Sequence, residues 1–158
     1  MKTANKTNID QLCINTIRTL SLDAVQKANS GHPGLPLGMA PAAYVLWTKF
    51  LRHNPKNPKW FGRDRFVLST GHYAIGLYAA LAEAGIIPLE ELATYGADGS
   101  RLEMSAPEMT PGVEMTGGSL GHGLTQSVGM ALGLRLQGRD ARVFNLLSDG
   151  ECQEGSTW

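Results

Sequence analysis

The chain has 158 residues, 42% of them hydrophobic and 18% charged, with 14 basic and 14 acidic side chains. That length suits one domain spanning 1–158 with enough apolar side chain for a core, and a formal charge of zero leaves nucleic acid and anionic membranes without a bulk attraction, so any anion site must be local. Cys13 and Cys152 are too few for a disulfide framework, the first residues lack the apolar stretch of a secretory leader, and no apolar run reaches the roughly 18–20 residues of a membrane span; the expectation is a soluble, cytoplasmic protein.

Asn8 with Gln11 resembles a capping box and opens a helix from Ile9 to about Ala28, on which Ile9, Leu12, Ile17, Leu20 and Ala24 fall near one face. Asn29-Ser30-Gly31 ends it, and His32-Pro33-Gly34 reads as loop, because proline removes a donor and glycine frees the backbone. A second apolar helix is expected from Ala40 to Leu51, followed by a polar connector with Pro55 and Pro58. Arg65 to Thr70 reads as a short buried strand, with Gly71-His72 where it ends. Ala74–Ala84 and Leu89–Thr94 have helix-forming composition, and residues 96–118, rich in Gly, Ser, Pro and Thr, read as a long loop, of a length that is usually functional or disordered. Leu120–Gln137 is helical in composition, and its glycines Gly123, Gly129 and Gly133 would allow close packing on a neighbour. Ala141–Ser148 is a second buried strand running into Asp149-Gly150. Helix and strand alternate, which predicts an α/β fold with a parallel sheet and a ligand site beyond the carboxyl ends of the strands.

Three segments carry candidate chemistry. Asp149 stands where a buried strand ends, as a hard oxygen ligand suited to magnesium, and Gly150 beside it would let a diphosphate approach the backbone; Asp-Gly is equally a favoured turn dipeptide. Thr116 to Gly123 places small residues ahead of a helix, where free N–H groups suit an anion, though the segment matches no phosphate fingerprint and a tight packing loop reads as well. His32 and His72 lie in loops, where imidazole can donate to phosphate or sugar oxygens or serve structure alone. His53 has only the structural reading, and Arg63-Asp64-Arg65 reads as a local surface ion pair.

Taken in order, Ala28-Asn29-Ser30-Gly31-His32-Pro33-Gly34, Gly38-Met39-Ala40-Pro41, Arg52-His53-Asn54-Pro55, Arg63 to Ser69, Thr110 to Glu114 and Asp149 to Trp158 resemble the transketolase family. The resemblance runs from about residue 9 to the last residue, and the wording is most similar to the split bacterial type, whose N-terminal half is a separate subunit. It implies a thiamine-diphosphate-binding α/β fold, a parallel sheet with helices on both faces, present here only in its N-terminal, incomplete part. It implies transfer of a two-carbon ketol unit from a ketose phosphate to an aldose phosphate, with the cofactor supplying the central chemistry. Carried over by position, Asp149 is the magnesium ligand, and Gly118, Ser119, Leu120, His72, Gly150 and Glu151 are cofactor-binding. His32, His72 and Glu154 are the catalytic positions, His32 toward the sugars and Glu154 in a network at the subunit interface.

The resemblance also implies a second magnesium ligand beyond Trp158, a C-terminal transketolase subunit carrying a further glutamate, sugar-phosphate substrates and a homo- or hetero-oligomer. This chain alone is expected to be inactive. Departures from the family pattern include Ser105-Ala106-Pro107 where a Gly-His-Pro is usual, which removes a histidine contact to the substrate's hydroxymethyl end. The alternative is a catalytically incomplete transketolase-like paralogue acting in assembly.

Overall fold

The computed structural model describes residues 8–158. The first helix, α1, spans Ile9–Ala28 and starts on Asn8, whose side-chain oxygen accepts the backbone N–H of Asp10 at 3.1 Å. The expected capping box forms only in half, because Gln11 donates instead to Asn15 at 3.0 Å along the helix. Asn29 ends α1 in the left-handed region at φ 50°, which a short polar side chain tolerates.

The second helix, α2, runs Gly34–Val45 and so begins well before the expected Ala40, within the predicted loop. The residues of a first helical turn have no intrahelical acceptor for their N–H groups, so Pro36 is compatible with it. Its end widens into a π-type turn over Leu46–Phe50, closed by the Leu51 N–H on the Leu46 carbonyl at 2.8 Å. Pro41 lies inside the helix and cannot donate to the Leu37 carbonyl one turn back. Arg18 on α1 takes that place, its Nε donating to the Leu37 oxygen at 3.0 Å.

Strands β1, Arg65–Leu68, and β2, Val143–Leu146, pair in parallel with Phe66 opposite Phe144 and Leu68 opposite Leu146. Those four side chains share one face and join the hydrophobic cluster formed with α1, α2 and α3, the last spanning Ala74–Glu83. On the opposite face Asn145 donates to Ser127 at 2.8 Å, and Ser127 belongs to α4, His122–Leu136. Helices therefore cover both faces of the parallel pair, as expected. Leu89–Thr94 forms a short 3-10 segment.

Residues 95–121 contain neither helix nor strand, yet Leu102, Ala106 and Thr110 are buried. Tyr78 on α3 donates to the Glu103 carbonyl at 2.9 Å and Thr110 to that of Arg101 at 2.7 Å, so side chains satisfy a backbone that makes no ladder. Of the three helix glycines, Gly123 packs on Ser69 so closely that a Cβ would overlap it, whereas Gly129 and Gly133 meet nothing within 4 Å. The expected close packing holds at the first alone among the described residues.

The local ion pair expected at residues 63–65 does not form. Asp64 is only 3% exposed, and its carboxylate accepts the backbone N–H groups of Arg52 and Arg142 and both their guanidinium groups. Arg63 turns instead to Glu114 in a two-bond pair, at 2.8 Å on each oxygen. Burial opposes ionisation of Asp64, but the Arg142 and Arg52 hydrogen bonds outweigh it and bring its pKa down to about 2.

Candidate functional site

The two parallel strands end side by side, and the loops that follow them carry the predicted residues. Beyond β1 the chain continues through Ser69, Thr70, Gly71 and His72; beyond β2 it continues through Ser148, Asp149 and Gly150. The N–H groups of Ser69 and Thr70 both reach the Leu146 carbonyl, at 3.1 and 3.3 Å, so the exits are locked together.

On the β1 side His72 lies against His32, with ring centroids 5.3 Å apart, which brings the loop after α1 to the strand end. The Thr70 hydroxyl lies 3.2 Å from His72 Nε2 and restrains that ring. Ser30, in the His32 loop, donates to the Met104 sulfur at 3.5 Å, so the long loop closes the same corner. Gly71 and Gly118 meet back to back: a Cβ on Gly71 would lie 2.7 Å from the Gly118 nitrogen and 3.0 Å from Ser105 Oγ. Gly118 itself has φ 120°, a conformation that side-chain-bearing residues avoid. His32, His72, Gly118 and the strand end are thus one cluster. His53 stands apart, edge-on to Trp47 with Nδ1 3.0 Å from the Leu51 carbonyl, in the structural role the sequence suggested.

The amides entering α4 are not free for an anion, contrary to the expectation from small residues at a helix start. Gly121 N–H donates to Glu151, His122 N–H to the Ser119 carbonyl and Gly123 N–H to the Ser69 hydroxyl, at 3.0, 3.4 and 3.1 Å. The N–H groups of Gly118, Ser119 and Leu120 have no acceptor among the described residues, and all three residues are exposed. Any anion contact here falls to that tripeptide rather than to the helix end.

On the β2 side Asp149 is exposed, and its carboxylate has no hydrogen-bond or ion-pair partner among the described residues. Nothing lies within 4 Å of where a Gly150 Cβ would be, leaving an open approach. Among the described residues no group of three or more His, Cys, Asp or Glu side chains is placed to hold a metal, so Asp149 would be a single protein ligand. Glu154 is exposed, and its Cβ lies 2.7 Å from where a Gly121 Cβ would be, beside the α4 entry.

Glu151 differs from its neighbours. The sequence placed it with the cofactor-contacting residues, but its side chain is fully buried and its oxygens accept four hydrogen bonds from this chain. One oxygen accepts from Ser69 Oγ at 2.5 Å and Gly121 N at 3.0 Å, the other from Ser148 N and Oγ, each at 2.8 Å. Burial opposes its ionisation, yet the bonds from Ser69, Ser148 and Gly121 together hold its pKa below the ordinary value. Sequence reasoning missed Ser69 altogether, since a serine at a strand end carries no distinguishing local signal.

An apolar cavity of about 240 Å³ lies between α2, α3 and the sheet, lined in part by Met39, Trp47, Phe66 and Phe144. Its lining carries no carboxylate, imidazole or guanidinium, so those acid–base groups lie elsewhere.

Residues 9–157 match the family described as transketolase, thiamine diphosphate binding domain. An uncharacterised transketolase family protein of Sinorhizobium fredii strain NGR234 is 53% identical over 143 residues, covering 90% of this chain and 51% of that protein. The transketolase of Halalkalibacterium halodurans is 48% identical over 161 residues, covering 94% of this chain but 24% of its own length. Among solved structures, a Pichia stipitis transketolase complexed with sedoheptulose-7-phosphate superposes with a TM-score of 0.91 at 41% identity, over 94% of this chain and 24% of that one. A Campylobacter jejuni transketolase gives 0.90 at 40%, over 96% and 25%. The chain thus spans about half of one relative and about a quarter of the others. Its fold is that of their N-terminal part, and no described helix is long and apolar enough to cross a membrane. With an identity near one half and a match along nearly its whole length, the chain belongs to the transketolase family and contains its thiamine-diphosphate-binding domain region.

Proposed function

We propose that this chain forms the diphosphate and magnesium side of a ketol-transferring enzyme, acting on sugar phosphates and completed by a C-terminal transketolase polypeptide. The observation that carries this reading is the meeting of His32, His72, Gly71 and Gly118 at the end of β1, with Asp149 exposed beyond the adjoining end of β2. Asp149 offers magnesium a carboxylate oxygen free of competing partners, and magnesium keeps its remaining positions for phosphate, water and ligands from outside these residues. The free amides of Gly118, Ser119 and Leu120 face no internal competitor and suit diphosphate oxygens. Gly150 leaves the backbone beside Asp149 approachable.

Thiamine diphosphate, when bound, supplies the nucleophilic carbon that carries the two-carbon unit. The residues of this chain orient and move protons around it. His72, held by Thr70, donates toward the diphosphate, and His32 beside it donates to sugar oxygens. Glu154 lies exposed beside the α4 entry, where it can join a proton network with a partner chain. The setting is cytoplasmic sugar-phosphate metabolism.

Calorimetry with magnesium and thiamine diphosphate tests this, on the chain alone and mixed with a C-terminal transketolase polypeptide. Weak binding by the chain alone, tight binding by the mixture, and loss of both binding and ketol transfer in Asp149→Asn are expected. A mixture that binds no cofactor, or an Asp149→Asn variant that binds normally, overturns the reading.

A second reading has one observation in its favour. Ala106, where the family usually has histidine, is 1% exposed and packs in the core cluster, so nothing at that position reaches a sugar. A paralogue kept for assembly would bind the C-terminal polypeptide and cofactor yet transfer no ketol unit from any ketose phosphate.

A further inference from the structure

Glu151 stands two residues after the candidate magnesium ligand, yet it is fully buried and all its hydrogen bonds run to protein donors. Those donors come from three separate stretches. Ser69 follows β1, Gly121 closes the loop that begins at Gly118, and Ser148 directly precedes Asp149. Ser69 Oγ also accepts the Gly123 N–H at 3.1 Å while donating to Glu151, so the first turn of α4 belongs to the same network. Thr157 adds a bond from outside, its hydroxyl donating to the Glu151 carbonyl at 2.6 Å.

An apolar core residue of this size would fill the space but could accept from none of these donors. A glutamine would accept at one terminus and present donors at the other, setting an N–H against the backbone N–H of Gly121 or of Ser148. A carboxylate accepts from all four donors, and each of its oxygens serves a different cofactor-facing loop: one the Gly118–Gly121 loop, the other the Ser148-Asp149 turn. The loop that carries the exposed amides of Gly118 to Leu120 and the turn that carries Asp149 are therefore tied together from beneath through one side chain.

We infer that Glu151 is a positioning residue, a buried carboxylate clamp that fixes the metal-bearing Asp149 turn against the diphosphate loop without itself touching metal or cofactor. The inference rests on the function proposed above for Asp149 and Gly118. It predicts that weakening the clamp loosens both loops together and lowers magnesium and diphosphate affinity while leaving sugar recognition through His32 in place.

The test uses amide hydrogen exchange on the full chain and magnesium titration of the chain assembled with a C-terminal transketolase polypeptide. In Glu151→Gln, exchange at Gly121 and Ser148 should accelerate about ten-fold or more while that at Val67 and Leu77 stays as in the wild type. In the assembled enzyme the magnesium concentration for half-saturation should rise about ten-fold with the KM for the sugar phosphate unchanged. Ser148→Ala, which keeps the carboxylate and removes one hydroxyl donor, should show a smaller change of the same kind and covers the case in which Glu151→Gln does not fold. Unchanged exchange at Gly121 and Ser148 overturns the clamp. Faster exchange with an unchanged magnesium requirement also overturns it, leaving Glu151 a structural residue only. Failure of the wild-type assembly to bind magnesium and cofactor sinks the proposed function instead, and the clamp between the two loops is then decided by the exchange data alone.

Discussion

Asp64 accepts the backbone N–H of Arg142 at 2.8 Å, so a carboxylate immediately ahead of β1 holds the residue immediately ahead of β2. The Arg65 N–H returns the link to the Arg142 carbonyl, also at 2.8 Å. The same carboxylate binds the guanidinium groups of Arg142 and Arg52. Two buried carboxylates thus bracket the parallel pair, Asp64 at its entry and Glu151 at its exit.

Replacing Asp64 by Ala should destabilise the fold by about 3 kcal/mol, at the lower end for a broken buried pair because both arginines are partly solvated. Urea unfolding followed by circular dichroism measures it. A loss within the error of that experiment would show that the carboxylate does not hold the strands.

Acid should remove the same contribution. The folded-state pKa of Asp64 is about 2 against an ordinary 3.8, so its stabilisation is complete above the ordinary value and lost as pH falls toward 2. Glu91, held below its usual value by Arg101, acts in the same direction. Wild-type stability should therefore decline from about pH 4 downward, and Asp64→Asn should flatten that decline. An identical pH slope in the two proteins contradicts the assignment.

Arg18→Met should cost about 1–2 kcal/mol by leaving the Leu37 carbonyl unpaired, since proline at residue 41 offers it no N–H. Adding Pro41→Ala should restore part of the loss, because the new N–H can donate to that oxygen. The double-mutant cycle reads this coupling directly, and strict additivity would rule the relationship out.

Gly71→Ala should act on the site more than on the fold. Its Cβ would sit 2.7 Å from the Gly118 nitrogen, so the diphosphate loop must shift to admit it. The expected outcome is a stability loss of roughly 1–3 kcal/mol, typical of overpacking, with weakened cofactor binding by the assembled enzyme. Unaltered affinity in calorimetry would mean that the loop is not the cofactor's seat.

Local pattern made much of this fold readable. The Asn8 cap and the apolar spacing of Ile17, Leu20 and Ala24 placed α1, and the runs ending at Thr70 and Ser148 located both strands and the loops beyond them. The start of α2 was not readable, because Pro33, Gly34 and Pro36 signal a break in general but are harmless in a first turn. The candidate site divided in the same way. His32, His72 and Gly118 announced themselves through unusual residues, whereas Glu151 looked like one more polar neighbour of Asp149. Its inward turn depends on Ser69 and Gly121, 82 and 30 residues away, and no local window contains them. Asp64 misled for the same reason, with the adjacent arginines pairing elsewhere.

The Leu37 carbonyl also bears on modularity. Since α2 closes its own ladder only with a guanidinium from α1, it is not a self-contained unit that could be moved to another scaffold. A peptide of residues 34–50, or a chimera exchanging that segment alone, should fray at Leu37, and any successful graft must carry Arg18 or an equivalent donor with it.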